Sequence, residues 1–301
     1  MTTLAITGGT GFVGGALIEA ALAAGYRIRA LARRPQPPRT GVEWIAGALD
    51  DRAALARLVA GTDAVVHVAG VVNAPDRAGF VAGNVEGTRA ILAATAEAGV
   101  ARFVHVSSLA AREPALSDYG WSKAEAERLV EASSLAWTVV RPPGIYGPGD
   151  LDQLDLFRMA RRGVVTLPPR GRLSVIAVAD LARLLLTLAT TDGSRTIYEA
   201  DDGTGGWTYA DFYARAVGEA VGRRVLPLSL PRGLLTLAAR GDRLIRGAKA
   251  KLTADRVAYF CHPDWTIDPL KRPPPALWTP RIDARAGLAE TVRWYRARGL
   301  L

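Results

Sequence analysis

One cysteine, Cys261, is all the chain has, so no internal disulfide can form, and Cys261 beside His262 lacks the further ligands that a zinc site needs. No metal is expected. Long apolar runs are also missing: no uninterrupted stretch of about 18 apolar residues could span a bilayer, and no basic-then-apolar leader opens the chain. A soluble, cytoplasmic protein is expected. Nothing repeats at a fixed period. The 38 lysines and arginines, against 29 aspartates and glutamates, are dispersed and have no aromatic platform among them, which argues against nucleic acid. The resulting net charge of +9 suits acidic partners such as phosphorylated cofactors or anionic headgroups, without choosing between them. With 49% apolar residues among 301, the chain can bury a large core as one domain, or as one domain plus a smaller lobe.

What is present begins at the N-terminus. Thr7-Gly8-Gly9-Thr10-Gly11-Phe12-Val13-Gly14 lies between an apolar strand-like run, Leu4-Ala5-Ile6, and a helical stretch over Ala16–Ala24. Glycines in such a turn let the backbone approach a pyrophosphate, and the following helix aims free N–H groups and its positive end at the phosphates. Gly8, Thr10, Gly11, Phe12, Val13 and Gly14 are therefore candidate cofactor residues. Further strands are predicted at Arg27–Ala32, Ala64–Val68, Phe103–Ser107 and Thr138–Arg141, and helices at Ala53–Ala60, Val85–Ala98 and Ser122–Ser134. This is the rhythm of an α/β, doubly wound parallel sheet. Proline and glycine punctuation rises after Pro142, so a dinucleotide-binding domain over 1–145 and a substrate lobe over 146–301 are predicted.

At the end of the second strand stand Ala32-Arg33-Arg34, where an acidic residue would hold the ribose hydroxyls and repel a phosphate. Arginine grips a phosphate with a bidentate fork, so Arg33 and Arg34 favour NADP(H) over NAD(H), unless they merely open a solvated loop. Leu49 and Asp50 follow a third strand-like run, where Asp50 either accepts from the adenine amino group or caps a helix, with Asp51 alongside.

Ser107-Ser108 precede Tyr119-Gly120-Trp121-Ser122-Lys123. Tyr and Lys four residues apart on a helix share a face, and an ammonium near a phenol is expected to lower its pKa so that it exchanges protons near neutral pH. A serine hydroxyl from the preceding strand end would orient the same substrate oxygen.

Together these motifs resemble the short-chain dehydrogenase/reductase superfamily, specifically its extended, epimerase/dehydratase-like branch with a Rossmann-type sheet. The resemblance extends to His67-Val68-Ala69-Gly70, Asn84-Val85-Glu86-Gly87-Thr88, Arg141-Pro142-Pro143-Gly144-Ile145-Tyr146-Gly147-Pro148, Trp278-Thr279-Pro280, Gly287-Leu288 and Trp294-Tyr295. It implies that Ser108, Tyr119 and Lys123 form the catalytic set, with Lys123 also holding the nicotinamide ribose. It further implies cofactor contacts from Val68, Ala69, Gly70, Asn84, Ser107, Pro142, Gly144 and Ile145, and substrate contacts from Ser108, Pro143 and Tyr146. A homodimer is the family's habit.

Three departures narrow the substrate. The interval from Ser108 to Tyr119 is shorter than in sugar-nucleotide epimerases, and Ala177 and Ala179 stand where the family carries His and Asp. Pro142, Pro143 and Ile145 suit an apolar group. On a helical wheel of 231–253, Leu234, Leu237, Ala238, Leu244, Ile245, Ala248 and Leu252 oppose Arg232, Arg240, Arg243, Arg246 and Lys251. Such a segment either lies on an anionic membrane, peripherally on the inner face, or packs its leucines inward with the arginines in solvent. The chain looks similar to bacterial relatives of the 39-kDa-type subunit of complex I, a group that includes ketoreductases of the ceramide pathway. The preferred reading is an NADP(H)-dependent reductase of a ketone on a lipid-like substrate, a 3-keto-sphingoid or 3-oxo-ceramide. The alternatives are a nucleotide-sugar epimerase or dehydratase, and a non-catalytic NADP(H)-binding assembly subunit, which would place no demand on a paired phenol and ammonium.

Overall fold

The computed structural model describes residues 2–191, 195–247 and 253–301. Seven parallel strands form the main sheet: β1 (Thr3–Thr7), β2 (Arg27–Ala32), β3 (Val42–Ala46), β4 (Ala64–His67), β5 (Arg102–Val106), β6 (Ala136–Val140) and β7 (Thr196–Tyr198). Their spatial order is β7-β6-β5-β4-β1-β2-β3. The central strands are apolar almost throughout, with Leu4, Ala5, Ile6, Val65, Val66, Phe103, Val104 and Val139 buried, because helices cover both faces. The crossovers run through α1 (Phe12–Ala23), α2 (Arg52–Val59), α3 (Gly87–Glu97) and α4 (Asp118–Glu131). Chain direction across the sheet reverses between β1 and β4, and the carboxyl ends of such a pair open a crevice.

Local signals set the helix starts. The Asp51 carboxylate accepts from Ala54 N at 2.9 Å and starts α2, while Ser117 Oγ accepts from Gly120 N at 2.9 Å and starts α4 four residues before the predicted Ser122. α1 likewise begins at Phe12, ahead of the predicted Ala16, with Gly11 as its cap and no side chain in the cap position. The helix predicted over Val85–Ala98 divides into a π-helical turn, Val81–Glu86, and α3. Such turns break helical periodicity, which is why the pattern did not reveal it.

The chain forms two compact units, one of residues up to Arg141 with Leu181–Glu199 and Pro273–Trp278, the other of Pro142–Asp180, Ala200–Arg272 and Thr279–Leu301. This differs from a single cut after residue 145. The later half returns β7 to pair with β6, and buried Arg102 of β5 donates to Leu188 O at 2.7 Å, so the returning stretch Leu181–Glu199 completes the first core. The second unit has its own core around Tyr146, Phe157, Phe212, Leu288 and Tyr295. Its short parallel pairs join Val175–Ala177 to Gly144–Tyr146 and Leu226–Ser229 to Val164–Leu167. Among the described residues no helix is long and apolar enough to cross a membrane.

Candidate active site

At the mouth of the crevice the glycine turn has the conformation that its residues demand. Gly8 has φ +73°, and a Cβ there would lie 2.7 Å from Ala69 N, while a Cβ on Gly14 would overlap the Gly8 carbonyl. These two glycines let β1, the start of α1 and the end of β4 close on one another. Gly11 N donates to Gly8 O at 3.0 Å, and Gly11 itself is exposed. The N–H groups of the first turn of α1 have no intrahelical acceptors and face a region that no capping side chain fills. Thr10 is exposed here, and Phe12 and Val13 are half-buried.

Behind the turn runs a directed chain of hydrogen bonds. Thr88 Oγ1 donates to Asn84 O at 2.6 Å, so the His67 Nε2–H donates to Thr88 Oγ1 at 3.1 Å. That leaves His67 Nδ1 to accept from Thr7 Oγ1 at 2.7 Å, and Thr7 Oγ1 in turn accepts from Ala69 N at 3.1 Å. His67 is thereby the neutral Nε2–H tautomer. Burial, with the Lys123 charge nearby, pulls its pKa down to about 3. His105 stacks on His67 with ring centroids 5.3 Å apart and is also held well below the ordinary histidine range by burial.

Three predicted catalytic residues meet beside this chain. Ser108 caps the turn Leu109–Arg112 by accepting from Ala110 N at 3.2 Å, and its hydroxyl opposes the upward push that burial exerts on the Tyr119 phenol. Lys123, buried, donates from Nζ to Val106 O at 2.7 Å. A Cβ on Gly70 would stand 3.7 Å from that Nζ, so Gly70 borders the ammonium. The expected electrostatics are corrected in one respect. Burial raises the Tyr119 phenol, and the opposing pull comes from Ser108 rather than Lys123, whose ammonium is turned onto the Val106 carbonyl. Lys123 is itself lowered to about 8 by burial, with Glu127 one helical turn away pulling it back up. Glu127 is gripped by Arg141 at 2.9 and 2.6 Å, and Arg141 and Arg112 approach Glu199 at 3.4 and 3.3 Å. This alternating network ties the Ser108 turn to the Lys123 helix.

Other predicted residues take varied places. Arg33 and Arg34 are exposed, with no ion pair among the described residues. Asp50 is exposed and is not the cap, a role taken by Asp51, and Leu49 packs on Gly87. Val68 and Ala69 are half-buried beside exposed Gly70. Ser107 Oγ is buried with no hydrogen-bond partner among the described residues. Asn84 acts as a strut: both its N–H groups are spent, on Val71 O and Ser122 Oγ at 2.9 Å each, and its Oδ1 accepts from Val71 N at 2.6 Å.

Pro142, Pro143, Gly144, Ile145 and Tyr146 belong to the second unit. Tyr146 lies there in the core of that unit, at 1% exposure against Phe212 and Gly287. Sequence reasoning assigned no role to His67, Thr88, His105, Glu127, Arg141 or Glu199. Only Glu127 had a local signal, its place four residues after Lys123.

The residues present fit a dinucleotide: a glycine cradle closed to side chains, an open helix N-terminus and an orphaned buried hydroxyl at Ser107. Such a sheet, cradle and Ser/Tyr/Lys grouping define an NAD(P)-binding oxidoreductase. A family described as NAD(P)H-binding matches residues 8–192, and the chain belongs to it. Among its relatives, the ceramide reductase of Caulobacter vibrioides is 36% identical over 307 residues, covering 99% of this chain and 96% of that protein. The 2-alkyl-3-oxoalkanoate reductase of Stenotrophomonas maltophilia is 31% identical over 301 residues, covering 90% and 85%. In structure the chain is similar to the Bordetella bronchiseptica enzyme WbmH in complex with NAD+, with a TM-score of 0.77 at 21% identity over 99% of each chain. The protein is an NAD(P)-dependent reductase.

Proposed function

We propose that this reductase converts a ketone on an apolar, lipid-like substrate of the 3-keto-sphingoid or 3-oxo-ceramide class to the alcohol, using NADP(H) in preference to NAD(H), at the surface of a membrane. The gathering of buried Lys123, anchored on Val106 O at the end of β5, with Ser108 and the Tyr119 phenol beside the glycine cradle carries the reading. Burial keeps the Tyr119 phenol protonated at neutral pH, so it is poised as the acid that gives its proton to the carbonyl oxygen, the need of the reductive direction. Ser108, whose hydroxyl favours the ionised phenol, steadies the negative charge left on the phenolate. When bound, the cofactor supplies the hydride that the carbonyl carbon receives. Gly8, Gly11, Gly14 and the α1 N-terminus would hold its pyrophosphate, Ser107 and Lys123 its nicotinamide ribose, and Arg33 with Arg34 the phosphate that distinguishes NADP(H). The names of the two reductase relatives support a carbonyl on a long or alkyl-bearing molecule. The sugar-nucleotide reading rests on solved structures whose low identity carries the fold alone.

NADPH oxidation against long-chain 3-keto lipids, short ketones and nucleotide 4-keto-sugars tests this. Turnover confined to the lipids, and lowered about 10²–10⁴-fold in Tyr119→Phe with NADPH affinity retained, is expected. Lipid turnover indifferent to Tyr119→Phe would overturn it, as would turnover of the sugars alone. Tight NADPH binding with silence across the panel would move the assignment to a non-catalytic role.

A further inference from the structure

The segment that a helical wheel marks as amphipathic forms a helix, α5 (Arg232–Arg246), of 15 residues. Ala248, Lys251 and Leu252, also on that wheel, lie outside the described residues. Leu234, Leu237, Ala238, Gly241, Leu244 and Ile245 share about a third of its circumference. A surface helix normally turns such a stripe onto its own protein. This one does the reverse: Leu234 is 49% exposed, Leu237 63%, Leu244 87% and Ile245 84%, whereas on the opposite side Ala239 is only 4% exposed and Leu235 is half-buried. The helix is anchored by a small residue, in contact with the helix Ala254–Phe260, and its large apolar side chains point away from the unit they belong to. The strand that feeds it, Leu226–Ser229, is exposed along its length. Leu226 at 59% and Leu228 at 43% share one face with Val164, the registered partner of Leu226, at 37%. Apolar surface concentrated in this way marks an interaction site.

Charge identifies the occupant. Between residues 223 and 246 the sequence holds Arg223, Arg224, Arg232, Arg240, Arg243 and Arg246 against one acid, Asp242, which Arg246 already pairs at 3.2 Å. Arg223, Arg224, Arg232 and Arg240 are exposed. A second copy of the chain here would bring one arginine-rich helix beside another with almost no acid to offset them, and a nucleic acid would leave the leucines without a role. An anionic bilayer satisfies both: headgroups meet the guanidinium groups while the leucines enter the headgroup–acyl boundary.

We infer that α5, with the strand before it, seats the protein on anionic membrane through its outward leucine stripe. This deepens the membrane element of the function proposed above, and it does not depend on the ketone chemistry.

Co-sedimentation of the full chain with phosphatidylcholine vesicles, with and without a third of phosphatidylglycerol, tests it. Wild type should bind the anionic vesicles at least about tenfold more tightly at low salt and lose that advantage as salt rises. Leu244→Ser with Ile245→Ser, both at exposed positions, should lower binding about tenfold or more with an unchanged thermal melt. Arg232→Gln with Arg240→Gln should flatten the salt dependence. If either pair disturbs folding, the lipid and salt dependence of wild type decides. Equal or no binding to the two vesicle types would overturn the inference. So would serine variants that bind vesicles normally, and a fall in solution mass from dimer to monomer in those variants would name a second copy as the occupant. Tyr119→Phe should bind vesicles as wild type does, so failure of the reductase reading and failure of the docking surface are separable.

Discussion

His67 offers a stability test of the hydrogen-bond chain beneath the glycine turn. In the unfolded chain a histidine takes up a proton near its ordinary pKa of about 6.5. In the fold His67 resists until about 3, because burial penalises its charged form and its Nδ1 must stay free to accept from Thr7. A base whose folded pKa lies below its unfolded value contributes full stability above the unfolded pKa and loses it as pH falls toward the folded one. From pH 7 to pH 5 the unfolded chain therefore gains protons that the folded chain refuses, at about 1.4 kcal/mol per pH unit below 6.5, or about 2 kcal/mol from His67 in that interval. His105 acts in the same direction. Carboxylates of ordinary pKa scarcely titrate in this range, and Asp150 and Asp202, which burial raises, act in the opposite direction, so the difference between wild type and a His67 variant isolates the histidine. Urea unfolding at pH 7, 6 and 5 should show the loss in wild type, and His67→Gln, less stable at pH 7 through the broken Thr7–Thr88 link, should show a slope shallower by about 2 kcal/mol over the interval. Parallel slopes in the two proteins would refute the assigned burial and tautomer.

Three further outcomes are expected. Gly14→Ala should abolish tight dinucleotide binding and destabilise the fold by about 1–3 kcal/mol in thermal melts, since its Cβ collides with the Gly8 carbonyl and not with a movable side chain; a normal melt and normal affinity would contradict the cradle. Arg33→Asp with Arg34→Ala should weaken NADPH at least about tenfold in calorimetric titration while sparing NADH, and equal wild-type affinities for the two would sink the preference. Turnover should fall as pH rises through about 8, where Lys123 loses its proton. Glu127→Gln should move that limb to lower pH by removing the charge that raises Lys123, and an unmoved limb would separate it from Lys123.

Much of the first unit was legible along the chain because its signals are local. Apolar runs of strand length, the Thr7–Gly14 turn with its strand and helix flanks, and the Asp50-Asp51 pair before α2 each act within a few residues. A Tyr and Lys four apart need only one helical turn to share a face. What the sequence by itself determined was thus the order of strands and crossover helices as far as β6 and the glycine turn, and it proposed the Ser108, Tyr119 and Lys123 group. Tertiary structure decided the rest, because it depends on groups far apart in the chain. His67 meets Thr7 across 60 residues and Arg141 meets Glu199 across 58. Whether Lys123 lowers the phenol or turns onto Val106, whether Asn84 is free or spent, and whether Tyr146 faces substrate or core all follow from burial. The direction of α5 is the same kind of fact: periodicity shows that a helix has an apolar face, but only packing determines whether that face is turned inward or left to solvent.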